Sequence, residues 1–96
     1  MKSSRILDER RERVSLEAKR NVEMSFKIVD RIHDILEYKG LKQKDLALLL
    51  NKREGEINQW MRGTHNFTID TLCAIEDVLG APIIEIINQP IGVLQS

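Results

Sequence analysis

Residues 41–66, LKQKDLALLLNKREGEINQWMRGTHN, contain the pattern that decides the fold. Apolar residues recur there at helical spacing in two short runs, which predicts two amphipathic helices. Asn51 separates the runs and tolerates the left-handed backbone of a tight turn. The apolar side of the first helix is predicted to consist of Leu46, Ala47, Leu49 and Leu50, and that of the second of Ile57, Trp60 and Met61.

The remaining positions of this stretch are polar or small. They are Lys44, Lys52, Arg53, Glu54, Gly55, Asn58 and Gln59. Side chains of these types contact phosphates and base edges in protein–DNA complexes. Two short helices with such a surface indicate a helix-turn-helix, in which helix 53–62 enters the major groove of DNA.

The flanking sequence predicts two further helices that supply the core. From residue 22 to 39, one face is apolar (Phe26, Ile28, Val29, Ile32, Ile35 and Leu36) and the other is charged (Lys27, Asp30, Arg31, Asp34 and Glu37). Gly40 ends this helix, and helix two follows at about 43–50. A fourth helix begins after Thr68 and ends at Gly80. Its predicted inner face is Ile69, Leu72, Ile75, Val78 and Leu79.

The segment after Pro82 favours a strand, because four of its next five residues are β-branched. A short fifth helix is the alternative. A lone strand in a helical domain needs a partner strand, so the segment is predicted to pair with its copy in a dimer. The predicted dimer contacts are Ile83, Ile84, Ile86 and Ile87, followed by a tail over residues 88–96.

The first 20 residues are rich in charge and poor in apolar side chains. Their apolar residues are Ile6, Leu7, Val14 and Leu16. This segment is predicted to be a solvated helix, a partner-binding arm, or a partly disordered region. The expected organisation is a charged helical arm over residues 1–20, a DNA-binding domain over 21–81, and a C-terminal strand and tail over 82–96.

Composition narrows the functional class. The 96 residues are 42% hydrophobic and 31% charged, which fits one domain with an extension. No apolar run approaches the roughly 20 residues that span a bilayer. The single cysteine, Cys73, excludes an internal disulfide, and a cytoplasmic location is expected. Cys73 and Trp60 are predicted to be core residues, and His65 a surface or phosphate-contacting group.

Nothing in the sequence indicates catalysis. There is no glycine-rich phosphate loop, and His33, His65 and Cys73 match no zinc spacing. We therefore predict no enzyme activity, no cofactor and no metal. The net charge of zero is unevenly distributed, because residues 41–66 carry five basic and three acidic residues while residues 67–96 carry four acidic residues and no basic one. That polarity suits a protein with one DNA-facing side.

The segments LKQKDLALLL, REGEINQWMRG and TIDTLCAIEDVLGAP together resemble the Xre (phage-repressor-like) helix-turn-helix family. The resemblance covers roughly residues 25–80 and implies an all-α domain of four to five helices. GTHNFTIDT followed by LGAPIIEI is most similar to HigA-type antitoxins and related small bacterial regulators. Two features depart from the family pattern: Lys42 and Arg53 stand at helix N-caps, and Gly55 lies inside the recognition helix.

The resemblance also implies roles for individual residues. The positions that it places at base edges are Glu54, Gly55 and Gln59, and Asn58 is a further candidate because its amide has the same chemistry as that of Gln59. The positions that it places at phosphates are Gln43, Lys52, Arg53, Thr64 and Asn66, and the basic residues Lys44 and Arg62 are further candidates. The implied partners are double-stranded DNA with an inverted-repeat operator, a second copy of the chain, and, in the antitoxin version, a small protein toxin. The alternative is a protein-interaction module or toxin-binding antitoxin without significant DNA affinity.

Overall fold

The chain folds into four α-helices, and this computed structural model describes the backbone of residues 2–92 and the side chains of residues 15–92. The helices are α1 (Lys2–Lys39), α2 (Gln43–Leu50), α3 (Glu54–Trp60) and α4 (Ile69–Leu79). No strand occurs between residues 2 and 92. The all-α class predicted from the sequence is confirmed. None of the helices among the described residues combines the length and apolar character needed to cross a membrane.

Helix α1 is one continuous element, so the predicted arm and the predicted first helix are the same helix. No glycine or proline occurs before Gly40, and nothing in the sequence therefore interrupts the helix. Its 38 residues span about 57 Å at 1.5 Å per residue. The longest dimension of the molecule is also 57 Å. Ile6, Leu7 and Val14, the apolar residues of the predicted arm that precede Leu16, lie outside the residues whose side chains are described.

The core lies between the C-terminal third of α1 and the three short helices. Its buried residues are Ile32, Ile35, Leu36, Leu46, Ala47, Ile57, Trp60, Ile75 and Leu79. Val29 and Leu72 are also buried. The apolar stripes predicted on all four helices therefore supply the core, and Trp60 is buried as predicted. Truncation of one of the buried isoleucines or leucines to alanine typically costs about 2–5 kcal/mol.

Four residues predicted to be in the core are exposed instead. Leu49 and Phe26 are about half exposed, Ile69 is 73% exposed, and Cys73 is exposed. The buried stripe of α4 is narrow and consists of Leu72, Ile75 and Leu79. Cys73 is turned about 100° away from its neighbour Leu72, which places it outside that stripe.

Residues with left-handed backbone end three of the helices, α1, α2 and α4, as the sequence predicts. Gly40 has a φ of +69°, Asn51 of +55° and Gly80 of +66°. After α1, the N–H of Leu41 donates to the carbonyl of Leu36 at 2.8 Å. After α2, the N–H of Lys52 donates to the carbonyl of Ala47 at 2.9 Å. These bonds satisfy helix-terminal carbonyls and fix the direction of the following segment.

The segment after α4 folds back onto α1 and α4. Oε2 of Glu76 accepts hydrogen bonds from the backbone N–H groups of Ile83 at 2.6 Å and Ile84 at 3.2 Å. Nε of Arg31 donates to the carbonyl of Pro82 at 2.9 Å. Ile83 is half-buried and packs against the core, and its predicted contact with a second copy stays a prediction.

The predicted strand over residues 83–87 is not formed within a single chain. Residues 84–88 belong to no helix or strand. A β-strand needs a paired edge, and within the described part of the chain no segment supplies one. The side chains of Ile84, Ile86 and Ile87 are exposed. Pairing with a second copy stays a prediction.

Candidate nucleic-acid interface

Helices α2 and α3 pack against each other and leave one side of α3 open. Leu46 and Ala47 of α2 join Ile57 and Trp60 of α3 in the core, and the turn at Asn51 reverses the chain between them. This packing, together with the turn at Asn51, orients α3. The opposite side of α3 is consequently free to carry polar side chains.

All four candidate base-contacting residues lie on the exposed surface of α3. A helical rotation of about 100° per residue places Gly55, Asn58 and Gln59 on the side away from the buried pair Ile57 and Trp60. Glu54 lies at the edge of that exposed face. A Cβ at Gly55 would meet no atom within 4 Å. Nothing within the described chain therefore requires a glycine there.

Helix α3 is shorter than the predicted 53–62, so Arg53 and Arg62 flank the helix and do not belong to it. Arg53 is the N-cap and makes no side-chain capping hydrogen bond. Arg62 lies in the turn after the helix, where its N–H donates to the carbonyl of Gln59 at 3.3 Å. Both side chains are exposed. The two cations therefore stand at opposite ends of α3.

Lys52 contacts two side chains of α3. Its Nζ lies 3.7 Å from Oε2 of Glu56 and 5.7 Å from the centroid of the Trp60 ring. A surface ion pair of this kind contributes about 0–1 kcal/mol, and a cation–π contact at an exposed site a similar amount. Glu56 was not among the predicted site residues, although its i, i+4 spacing from Lys52 is the signal that indicates such a pair.

The start of α2 is capped in a way the sequence prediction missed. The N–H of Lys42 donates to Oδ2 of Asp45 at 2.7 Å, so a carboxylate three residues into the helix satisfies the N-cap backbone. The Lys42 side chain is not an acceptor and cannot supply the reciprocal bond. Lys44 is exposed and Gln43 is half-buried on this first turn.

An aromatic cluster fastens the loop between α3 and α4. The ring of His65 stacks on Trp60 with centroids 5.7 Å apart, and Phe67 meets the His65 ring edge-on at 4.8 Å. His65 is half-buried, and its role as a surface or phosphate-contacting group stays a prediction. The exposed Thr64 and Asn66 alternate with these anchored residues. We define residues 61–67 as the α3–α4 loop.

Helix α1 passes directly against the α3–α4 loop. Oγ of Ser25 donates to the carbonyl of His65 at 2.8 Å. Gly63 is buried beneath the ring of Phe26, and a Cβ on this glycine would overlap the ring atoms Cε1, Cδ1 and Cζ. These contacts join residues about 40 positions apart, and no spacing rule in the sequence indicates them.

The exposed groups around α3 carry more positive than negative charge. Residues 41–66 contain five basic and three acidic residues. The acidic Glu54 and Glu56 lie in the first turn of α3, where carboxylates favour the helix dipole. Among the described residues, no three His, Cys, Asp or Glu side chains come together as candidate metal ligands.

Comparison with known proteins gives one match. The model of the Helix-turn-helix family matches residues 32–86, which is more than half of the chain. No curated protein and no solved structure matches the chain. The matched region contains the C-terminal part of α1, all of α2, α3 and α4, and the segment that Glu76 holds. Residues 1–31 lie outside it.

Proposed function

The chain belongs to the Xre-like helix-turn-helix family of DNA-binding transcription regulators, and from this membership we propose that it is a sequence-specific regulator that inserts α3 into the major groove of an operator. The observation that carries the proposal is the exposed face of α3. There Gly55, Asn58 and Gln59 lie opposite the buried core side, and cations stand at both ends of the helix.

The residues of this face have the chemistry for reading bases. The side-chain amide of Gln59 or Asn58 pairs bidentately with the N6 and N7 edge of adenine. The Glu54 carboxylate accepts from the amino group of cytosine. Gly55 presents no side chain, which allows the backbone of α3 to approach the floor of the groove. Gln59 is the strongest candidate reader because its amide can pair bidentately with adenine and its side chain is longer than that of Asn58.

The surrounding groups have the chemistry for contacting phosphates. They are Gln43 and Lys44 on α2, Lys52 and Arg53 before α3, and Arg62, Thr64 and Asn66 after it. An arginine at a helix N-cap is unfavourable for the helix dipole in the free protein. A phosphate nearby reverses that effect, because it compensates the arginine charge. The weak pair of Lys52 with Glu56 likewise leaves the lysine available to DNA.

Removing one phosphate contact tests the proposal. Arg53→Gln is expected to weaken binding to the operator and to unrelated duplexes alike, because phosphates carry no sequence information. The slope of log affinity against log salt concentration should become shallower by about 0.9 for the lost contact. Fluorescence anisotropy titrations of labelled duplexes from the region upstream of the gene, between roughly 50 and 200 mM salt, measure both quantities.

Arg31→Gln is the matched control for Arg53→Gln. It removes the same charge from a side chain that hydrogen-bonds to Pro82 in the C-terminal segment. The control should leave the salt slope unchanged. An equal slope for Arg53→Gln and the parent protein would contradict the assignment of the α3 start to phosphate. A parent protein that binds neither duplex would favour the protein-interaction module instead.

We further propose that the regulator binds an inverted repeat as a dimer, with half-sites about 34–36 Å apart. The support is the segment of residues 84–88, which has exposed isoleucines and no helix or strand pairing of its own. Glu76 fixes the start of this segment by binding the backbone of Ile83 and Ile84. A segment that is held at one end and has no helix or strand pairing of its own is available to pair with its copy across a two-fold axis.

Charged substitutions in this segment test the dimer. In the double variant Ile84→Lys/Ile86→Lys, both changes fall on one face of an extended strand, and like charges across the interface should yield monomers. Sedimentation equilibrium measures the mass. The control is Ile69→Lys, which changes an isoleucine that is 73% exposed on α4 and outside the segment. A dimer that persists in the double variant would exclude strand pairing at residues 84–88.

A further inference from the structure

We propose that the N-terminal half of α1 is a second DNA-contacting element, which lies along the phosphate backbone next to the half-site read by α3. The inference rests on the proposed function, because it needs α3 in the groove to bring DNA close to α1. It assigns a role to a part of the chain outside the region matched by the family model, which begins at residue 32. Its evidence is the position, the exposure and the charge of the helix.

The position follows from two contacts at the α3–α4 loop. Ser25 donates to the carbonyl of His65, and the Phe26 ring covers Gly63. The same loop carries the exposed Thr64 and Asn66, which are proposed phosphate contacts. The residues of α1 that precede Ser25 therefore leave the domain beside groups that are proposed to touch the DNA backbone.

The exposure shows that the domain does not cover residues 15–24 of the helix. Residues 15–24 are all exposed, and the first buried residue of α1 among the described side chains is Val29. The backbone from residue 2 to residue 24 extends about 35 Å at 1.5 Å per residue. That length corresponds to about ten base pairs at 3.4 Å each. The helix is long enough to follow the duplex for one further turn.

The charge of the helix matches a phosphate backbone. Residues 1–20 contain seven basic and four acidic residues. One exposed face forms a shallow groove in which three cations accompany a single carboxylate. The groove is lined by Leu16, Lys19, Arg20, Glu23, Met24 and Lys27. An acidic protein would also suit this charge, but the contacts of Ser25 and Phe26 place the helix beside the proposed DNA surface, which favours DNA.

Contacts of this kind add affinity without adding sequence information, because they involve phosphates only. The helix should therefore increase binding to any duplex long enough to reach it. It should also lengthen the protected region beyond the half-site. These consequences separate the role of α1 from that of α3, which determines sequence preference.

The test compares the parent protein with Lys19→Gln/Arg20→Gln on two operator duplexes, one ending at the half-sites and one with about ten further base pairs on each side. The parent should bind the longer duplex more tightly, and this preference should be smaller in the variant, which keeps the other basic residues of the helix. The variant lacks two phosphate contacts of the parent. The ratio of parent to variant affinity on the longer duplex should therefore fall about tenfold between 50 and 200 mM salt. Circular dichroism checks that the variant keeps its helix.

Glu17→Gln/Glu23→Gln is the control of opposite sign. It removes two carboxylates from the same exposed stretch and should tighten binding to the longer duplex. A general loss of structure would weaken binding in both variants. The opposite signs therefore separate an electrostatic effect from an unfolding effect.

The outcomes distinguish this inference from the proposed function. If Lys19→Gln/Arg20→Gln binds the longer duplex as the parent does, while Gln59→Ala loses operator preference, the role of α1 is excluded and the function of α3 stands. If the parent prefers no operator, the proposed function itself fails. A change of sedimentation mass in the α1 variant, with equal DNA affinity, would assign the helix to a protein partner and overturn the inference.

Discussion

Gly63→Ala is expected to lower the free energy of unfolding by roughly 2–5 kcal/mol. Gly63 has a φ of +87°, and left-handed backbone costs an L residue about 1–2 kcal/mol. The new methyl group would also overlap the Phe26 ring, and overpacking of a filled site costs typically about 1–3 kcal/mol. Urea denaturation followed by circular dichroism measures the change, with the midpoint shifting at constant m-value.

Two other glycines provide controls for the backbone part of this effect. Gly40 and Gly80 have φ values of +69° and +66°, and a Cβ at either would meet no atom within 4 Å. Gly40→Ala and Gly80→Ala should therefore cost only about 1–2 kcal/mol each. Combining Gly63→Ala with Phe26→Ala should cost less than the sum of the two single changes. A Gly63→Ala effect no larger than the controls would show that Phe26 yields without penalty.

This junction is also where the structure connects stability to the proposed function. Gly63 and Phe26 join α1 to the α3–α4 loop, and Ser25 holds the carbonyl of His65 in the same loop. A disturbed junction would shift both the loop phosphate contacts and the start of the projecting helix. Gly63→Ala should therefore weaken DNA binding as well, through geometry and not through charge.

Gln59→Ala is expected to weaken operator binding about 10- to 100-fold while leaving binding to unrelated duplexes unchanged. A bidentate amide–adenine pair contributes about 1–3 kcal/mol of discrimination, and about 1.4 kcal/mol corresponds to a factor of ten. Gln59 is exposed and makes no side-chain hydrogen bond in the described structure, so stability should stay the same. Titration of the variant against operators altered one base pair at a time should locate the position it reads.

Asn58→Ala is the comparison for Gln59→Ala, because it removes the neighbouring side-chain amide on the same helix. If Gln59 is the reader, Asn58→Ala should relax preference at a different position or have a smaller effect. Uniform weakening on every sequence in the Gln59 variant would reassign the side chain to phosphate. Full retention of operator preference in both variants would exclude both side-chain amides as readers of bases.

The four helices and the helix ends at Gly40, Asn51 and Gly80 were predictable from the sequence because their causes are local, whereas the end of α3 and the continuity of α1 were not predicted. The periodicity of Ile32, Ile35 and Leu36 indicates a buried helix face at any position in a protein. Gly40, Asn51 and Gly80 end helices through their own backbone preferences, and Thr68 starts α4 by accepting from the N–H of Thr71 at 3.2 Å. The exposed position of the polar residues of α3 was predictable in the same way, because the apolar residues occupy the buried side of the helix.

The exposed apolar residues were not predictable in the same way. Ile69 and Cys73 belong to the same helix as Leu72 and have suitable hydrophobicity for a core, but the neighbouring helices cover only one narrow stripe of α4. Leu49 is half exposed on α2 for the same reason. Hydrophobicity indicates that a side chain can be buried, whereas burial itself depends on where the other helices lie.

The sequence by itself therefore determined the all-α class, the helix-turn-helix and the polar face of α3, since these depend on residues within a few turns of one another. Only the tertiary structure decided where α1 meets the α3–α4 loop. That junction joins Ser25 to His65, 40 positions apart, and a serine or an exposed phenylalanine has no local pattern that indicates such a contact. The physical reason is that contacts between residues far apart in sequence depend on how the helices pack in three dimensions. The direction of the N-terminal half of α1 follows from that packing.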